Sequence, residues 1–379
     1  MAAAEDPAPA GKSITERFAA WRDRLVGSAS FQSWAARFPL TRGMARRDGQ
    51  RLFDLVSGFT YSQILYAFVA FDLPAQLNAG PRSVSDLALR CAVPPERMQI
   101  LCQAAASLGL LRRRRDGCFG LARLGAALPG VPGLAQMILH HDVLYRDLTD
   151  PTAFFRGDTE TELADFWPYV FGATGPLDHG VAKTYSDLMA DSQGLVAEET
   201  LKAVDFASAR HVLDVGGGTG AFLAAVGKRH STPRLHLFDL PAVASGANDR
   251  FAAANLSDRA RITQGSFRAD PLPEGADTIT LVRVLYDHRD ETVRNLLAKA
   301  YAALPPRGRI VVSEPMSGGA NPSRAADAYF AVYCMAMRTG TVRSADRISA
   351  MLGEAGFVGI KEARTDRPFI TSIVTAEKD

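Results

Sequence analysis

Apolar positions follow two regimes along this chain. From Leu52 to Leu77 they recur at helical spacing (Leu52, Leu55, Val56, Phe59, Ile64, Leu65, Phe68, Val69, Phe71) and cover nearly the whole circumference. A helix that apolar is buried on more than one side, as in an intertwined dimer. Ser83 caps a short helix at Val84-Ser85-Asp86, and Pro94-Pro95-Glu96-Arg97 opens a second, running through Met98, Leu101, Cys102 and Ala105 to Leu108. Gly109 to Leu121 predicts two short strands about a tight turn, which completes a winged-helix order. Leu134 to Leu148 predicts a further helix carrying His140 and His141. An aromatic cluster (Phe166, Trp167, Tyr169, Phe171) and a helix from Tyr185 to Ala203 follow.

From His211 onward the pattern alternates. Strands are predicted near 211–215, 234–238, 260–264, 277–284 and 308–313, with helical stretches between them. One helix spans Asp290 to Leu304. The next starts with Asn321 as cap and Pro322 at its first position and continues to Arg338; Ser344 caps 345–355. Phe357–Arg364 and Phe369–Glu377 form a terminal hairpin, so the last strand runs antiparallel in an otherwise parallel sheet. The fold class is α/β: a Rossmann-like sheet with an antiparallel last strand, joined to a helical winged-helix domain. The expected divisions are a basic helical arm (1–50), the winged-helix domain (51–130), a helical linker lining a substrate cavity (131–205) and a ligand-binding catalytic domain (206–379).

The sharpest local signal is His211-Val-Leu-Asp214-Val-Gly216-Gly217-Gly218-Thr-Gly220, a strand that ends in a carboxylate and turns through glycines into a helix. Such a turn lets a ligand approach the main chain closely. The next strand ends in Asp239, where a doubly wound sheet places an acid on ribose hydroxyls. Gly216-x-Gly218-x-x-Ala221 also fits a dinucleotide fingerprint. Asp214, however, suits a cation rather than a pyrophosphate, and a dehydrogenase has no need of the antiparallel last strand.

Bulk properties remove several classes. The 379 residues carry a net charge of +2 with 22% charged side chains, which makes no global case for nucleic acid. Arg112 to Arg115 at the hairpin raise the rival class, a winged-helix DNA-binding regulator. The helix from Pro95 offers only Glu96, Arg97, Gln99 and Gln103 as a reading face, and hairpin arginines serve equally to blunt a strand edge. Cys91, Cys102, Cys118 and Cys334 lack metal or disulfide spacing and read as reduced thiols in a cytoplasmic protein. His140 and His141 point about 100° apart on a helix and do not share one metal ion. No uninterrupted run approaches the length of a membrane span, and the first residues lack the features of a signal peptide. Between Lys12 and Arg51, nine basic residues face three acidic ones, interleaved with Phe18, Trp21, Leu25, Phe31, Trp34 and Phe38. That segment either lies on an anionic membrane or packs on a partner subunit.

Taken together, residues from about 50 to 375 resemble the O-methyltransferases of plant and bacterial secondary metabolism, which pair a winged-helix dimerisation domain with an S-adenosylmethionine domain. The family's His-Asp-Trp-x-Asp-Glu run, whose His is a general base for phenols, corresponds to Tyr286-Asp287-His288-Arg289-Asp290-Glu291. Tyr286 thus stands at the base position and His288 at the Trp position. Leu281–His288, Ser313–Gly319, Leu139–His141, Tyr145–Leu148 and Arg51–Val56 resemble a narrower branch, the hydroxyneurosporene (demethylspheroidene) O-methyltransferases of purple phototrophic bacteria. A relative of that branch, a bacteriochlorophyll methyltransferase, also carries Tyr at this position. The resemblance implies methylation of the tertiary hydroxyl of an acyclic carotenoid, with S-adenosylhomocysteine as the other product and no metal. An aromatic polyketide or another hydroxylated pigment is the alternative acceptor.

The implied cofactor residues are Asp214, Gly216, Gly218, Gly220, Asp239, Leu240, Ser266, Phe267, Tyr185 and Met189. The catalytic set is Tyr286 as orienter, His288 as base and Glu314 beside them. Tyr286 and His288 share a face if the strand stays regular there; if it has turned, only one reaches the alcohol. His140, His141, Phe155, Trp167, Tyr329 and Tyr333 are expected to line the substrate pocket. The expected assembly is a homodimer in the cytoplasm, with peripheral contact to the inner photosynthetic membrane and no nucleic acid.

Overall fold

The computed structural model describes residues 13–165 and 193–379. The expected roles of Phe166, Trp167, Tyr169, Phe171, Tyr185 and Met189 fall outside these residues. The chain divides into two compact units, Met1–Phe71 with Arg82–Phe119, and Asp72–Pro81 with Gly120–Asp379.

In the first unit, helices span Ile14–Val26, Ala29–Arg37, Arg42–Ala70, Val84–Cys91 and Pro95–Ser107. Ser13 opens the first with a capping box to Glu16, and Ser28 and Ser83 cap two others through their hydroxyls. Strand β1 (Leu111–Arg113) lies in this unit, and β2 (Phe119–Leu121) starts at the unit's last residue. Phe68, Leu87, Met98, Cys102, Ala105 and Leu111 are buried. The long helix begins at Arg42, upstream of the expected start, and stops at Ala70 because Asp72 takes a left-handed conformation with φ 50°. Its residues Leu52, Leu55, Val56 and Phe59 stay exposed, 64–74% of each open to solvent in the single chain.

The second unit is built on β3 (His211–Val215), β4 (Arg234–Asp239), β5 (Ala260–Gln264), β6 (Thr278–Val282), β7 (Arg309–Glu314), β8 (Val358–Ala363) and β9 (Ser372–Glu377). Their order is β5-β4-β3-β6-β7-β9-β8, with β9 antiparallel to both neighbours. Parallel strands covered on both faces read as continuous apolar runs, and all five residues of β6 are buried. Helices Asp290–Ala303 and Ala345–Glu354 contribute Val293, Leu296, Leu297, Ile348 and Leu352 to one core. The helices over 193–203 and Ala221–Arg229 contribute Val196, Leu201, Phe222 and Leu223 to the other. Strand order reverses at β3, which lies between β4 and β6. In open α/β sheets the crevice beyond the strand ends at such a switch point is where ligands bind.

Two elements depart from the sequence expectation. The helix expected from Asn321 is capped by the Ser323 hydroxyl, runs as a π-helix over Arg324–Phe330 and becomes α-helical over Ala331–Met337. Asn321 and Pro322 precede it. The strand expected over 277–284 ends at Val282, because Arg283 adopts a left-handed φ of 58° and Leu285–Asp287 form a 3-10 turn.

Candidate active site

At the carboxyl end of β3, Asp214 is completely buried. The Thr280 hydroxyl donates to its Oδ1 at 2.6 Å, while Oδ2 has no partner among the described residues. Burial pushes the carboxyl up to about 7, against the pull of the Thr280 hydrogen bond. The glycine bend wraps this carboxylate so tightly that a Cβ on Gly217 would collide with Asp214 Oδ2 and with Leu237. Gly218, at φ 64°, has open space where a Cβ would stand. Two features therefore sit side by side: a buried acceptor that has no donor among the described residues, and open space beside the main chain at Gly218.

Asp239 ends β4 and faces the same bend. Its Oδ2 accepts the Gly218 amide and its Oδ1 the Leu240 amide, both at 2.7 Å. Each carboxylate oxygen keeps a lone pair for a further donor. Burial raises this carboxyl to about 6, opposed by the two amides. After β5, the Ser266 hydroxyl accepts the Arg268 amide and the Ser266 amide donates to Asp270, so Ser266 shapes a turn that presents Phe267. Gly216 and Gly220 complete the bend at φ 70° and 76°, the latter packed against Phe251.

The early end of β6 settles the alternative left open for Tyr286 and His288, and their side chains part company. Tyr286 is buried in a cluster with Leu144, Phe154, Leu163, Tyr333, Cys334 and Met337. Burial drives its phenol well above the usual range despite a hydrogen bond with Arg283. His288 instead lies edge-on to Phe267 with ring centroids 5.1 Å apart. Its Nδ1 accepts from the Arg268 guanidinium at 3.1 Å, since arginine only donates. Burial, with Arg268 and Arg343 adding to it, lowers the imidazole to about 3.

Glu314, fully buried at the end of β7, holds the main chain of the turn. Its Oε2 accepts the Leu285 amide at 2.8 Å and the Tyr286 amide at 3.2 Å. From the opposite side, buried Arg343 donates to the carbonyls of Leu285, His288 and Thr341 and to Asp290. Gly340 packs so closely that a Cβ there would meet the Tyr286 carbonyl. Arg343, Gly340, Thr280 and Arg283 escaped the sequence reading. The one signal available was a glycine, Gly340, in the short Thr339–Arg343 link between two helices.

His140 and His141 reach Tyr333 and Tyr329 respectively, by hydrogen bonds of 2.8 and 2.6 Å. Phe155 is not an inward residue: it is 62% exposed, and Phe154 takes the buried position. Consecutive helical side chains diverge by about 100°, so only one of the pair can face in. Among the described residues no group of acidic, His and Cys side chains could hold a metal ion.

The glycine bend around a buried carboxylate, the acid at the end of the next strand and the clamped turn after the fourth strand lie on the sheet order of a methyltransferase fold. The chain belongs to the O-methyltransferase family: residues 145–358 match the O-methyltransferase domain and residues 53–151 the O-methyltransferase dimerisation domain. Within that family it is 54% identical, over 93% of both chains, to the demethylspheroidene O-methyltransferase of Cereibacter sphaeroides. It is 53% identical to the enzyme of the same name from Rhodobacter capsulatus, over 94% of this chain and 88% of that one. Among solved structures it is similar to CalO1, a methyltransferase in calicheamicin biosynthesis determined with SAH bound, with a TM-score of 0.72, 25% identity, and 88% and 98% of the two chains covered.

Proposed function

We propose that this enzyme transfers the methyl group of S-adenosylmethionine to the tertiary hydroxyl of an acyclic hydroxylated carotenoid, releasing a methoxy carotenoid and S-adenosylhomocysteine. The observation that carries the substrate is the 54% identity to a demethylspheroidene O-methyltransferase across 93% of the chain. Turnover of such a carotenol against a phenol of similar length tests it.

The residues fit the methyl donor. Asp214 Oδ2, buried and without a donor among the described residues, suits the ammonium of an amino-acid tail laid along the open Gly218 strip. Asp239 has lone pairs left for two ribose hydroxyls, and Leu240 and Phe267 offer apolar walls to an adenine. S-adenosylmethionine supplies a methyl group on a sulfonium sulfur. Tyr286, kept protonated by burial, orients the acceptor hydroxyl by hydrogen bonding. His288, turned onto Phe267 and engaged by Arg268, belongs to the adenine side in this reading, which moves the proton acceptor away from it. Orientation inside a closed, water-poor site supplies on the order of 7–11 kcal/mol in reactions of this kind.

A pH dependence follows. The Asp214 carboxyl, raised to about 7 in the free protein, must be ionised to hold an ammonium. The free protein binds a proton there below pH 7 and the complex does not, so binding releases a proton and affinity rises with pH, levelling off above about 7. Calorimetry in buffers of different ionisation enthalpy should register that proton at pH 6 and lose it at pH 8.

The assembly we propose is a homodimer, in which the exposed apolar residues of helix Arg42–Ala70 pack on a second copy. That helix has the length and mean hydropathy, 1.2 over 18 residues, of a membrane span. The dimerisation match beginning at residue 53 favours a protein partner for it. Helix Ile14–Val26 precedes the match and lines Ile14, Phe18, Trp21 and Leu25 along one stripe. Arg17, Arg24 and Arg22 flank that stripe, and Glu16 and Asp23 lie opposite, the order of a helix lying in an anionic interface. Sedimentation with phosphatidylglycerol vesicles should exceed that with phosphatidylcholine and fall when Phe18 and Trp21 become serine. Equal sedimentation with both lipids would remove the interfacial role.

A further inference from the structure

Helix Leu134–Asp147 places His140 and His141 side by side, and their divergence on the helix gives each its own phenol. His140 Nε2 lies 2.8 Å from Tyr333 Oη, and His141 Nε2 lies 2.6 Å from Tyr329 Oη. Both tyrosines come from the segment in which a π-helix passes into an α-helix. Such π turns are rare and concentrate at functional sites. The two pairs differ in depth: Tyr333 is only 7% exposed and shares the buried cluster of Tyr286, whereas Tyr329 is half-buried. Charges on Arg283 and Asp287, from the turn that carries Tyr286, act on Tyr333 directly. The inner pair therefore sits beside Tyr286, the residue proposed above to orient the acceptor hydroxyl.

We propose that Tyr333 and His140 form the proton acceptor of methyl transfer, a two-step relay that starts at the acceptor oxygen and ends in solvent. It rests on the reading of the acceptor as an unactivated alcohol. Such an alcohol is too weak an acid to ionise first, and its proton becomes labile only as an oxygen lone pair turns into a third bond and the oxygen takes on oxonium character. An oxygen lone pair forms the new bond to the methyl carbon while the carbon–sulfur bond breaks and its electrons stay on sulfur. The hydroxyl proton then passes to Tyr333 Oη as the tyrosine's own proton moves to His140 Nε2.

The groups present suit these roles. Burial, reinforced by His141, lowers the His140 imidazole to about 4, so it is neutral and can accept at physiological pH. Burial also holds the Tyr333 phenol well above its usual range, so it hands a proton on without becoming a phenolate. With its O–H directed at Nε2, Tyr333 keeps lone pairs for the incoming O–H. His140 is itself half-buried, and its imidazolium returns the proton to water.

The test uses the full-length enzyme and the variants His140→Gln, His140→Ala and Tyr333→Phe. Nitrogen-edited NMR of the free wild type should show His140 neutral from pH 5 to 8, with the proton on Nδ1 and Nε2 accepting; Tyr333→Phe should shift the Nε2 signal. Each variant should bind S-adenosylmethionine like the wild type by calorimetry while kcat falls about a hundredfold, the usual weight of a positioned base. Added imidazole should restore His140→Ala at least tenfold. An Nε2-protonated His140, or unchanged kcat in His140→Gln and Tyr333→Phe, would overturn the relay. Wild-type enzyme that methylates phenols but no tertiary carotenol overturns the substrate reading instead, and the NMR result still judges the pair by itself.

Discussion

Asp239→Ala is expected to weaken S-adenosylmethionine binding by about 10²–10⁴-fold in calorimetry. The carboxylate already holds the Gly218 and Leu240 amides at 2.7 Å, which fixes it against the glycine bend. Two ribose hydroxyls donating to an ionised acceptor contribute about 1.5–3 kcal/mol each, and their joint loss converts to that fold-change. Asp239→Asn, which keeps the shape and one acceptor, should lose less. The substitution also frees the Gly218 amide, so crystallography of the variant should show the bend displaced. Unchanged affinity in Asp239→Ala would retire the ribose assignment.

Gly340→Ala is expected to lower kcat about a hundredfold with S-adenosylmethionine affinity intact. The added methyl would stand on the Tyr286 carbonyl and within 2.9 Å of Asp287 Cα, so the Leu285–Asp287 turn must move. Glu314 and Arg343 hold that turn from two other sides, which leaves it little room to move as a unit. A displacement near 1 Å of an orienting group costs about 10² in rate. The cofactor bend lies on β3 and β4, apart from Gly340, hence the expected split between binding and turnover. Equal losses in both would mean that the turn also supports the donor site.

Much of this site was legible in the chain because its determinants are local. The run from His211 to Gly220 specifies strand, bend and helix within ten neighbouring residues, and Asp239 follows from the next strand's end. The terminal hairpin was likewise written in two apolar runs about Arg367-Pro368. What escaped depends on distant partners or on a change of backbone period. Tyr286 and His288 separate because Arg283 takes a left-handed conformation two residues before a 3-10 turn, and no apolar pattern marks that choice. Arg343 reaches the Leu285 carbonyl from 58 residues away, a contact without sequence periodicity. Asn321 looked like a cap, yet the Ser323 hydroxyl receives the Ala326 amide at 3.1 Å and starts a π-helix. Phe155 and Phe154 are equal in composition, and only the phase of a six-residue helix decides which one is buried.

The same contrast bears on mechanism. The residues proposed for the donor sit mainly at strand ends whose positions the sheet dictates, whereas those proposed for the acceptor come from the Leu285–Asp287 turn and from helices Leu134–Asp147 and Ala331–Met337. A family fold can therefore keep one donor site while its acceptor site varies, since fold alone does not fix chemistry.

The most direct measurement is mass analysis of products after incubating the purified enzyme with S-adenosylmethionine deuterated in its methyl group and an acyclic carotenoid bearing a tertiary hydroxyl. The label should appear intact as a methyl ether on the tertiary carbon, with one S-adenosylhomocysteine formed per ether. Label found only on a phenolic control, or a carotenoid left unmodified by enzyme that binds the donor, would contradict it.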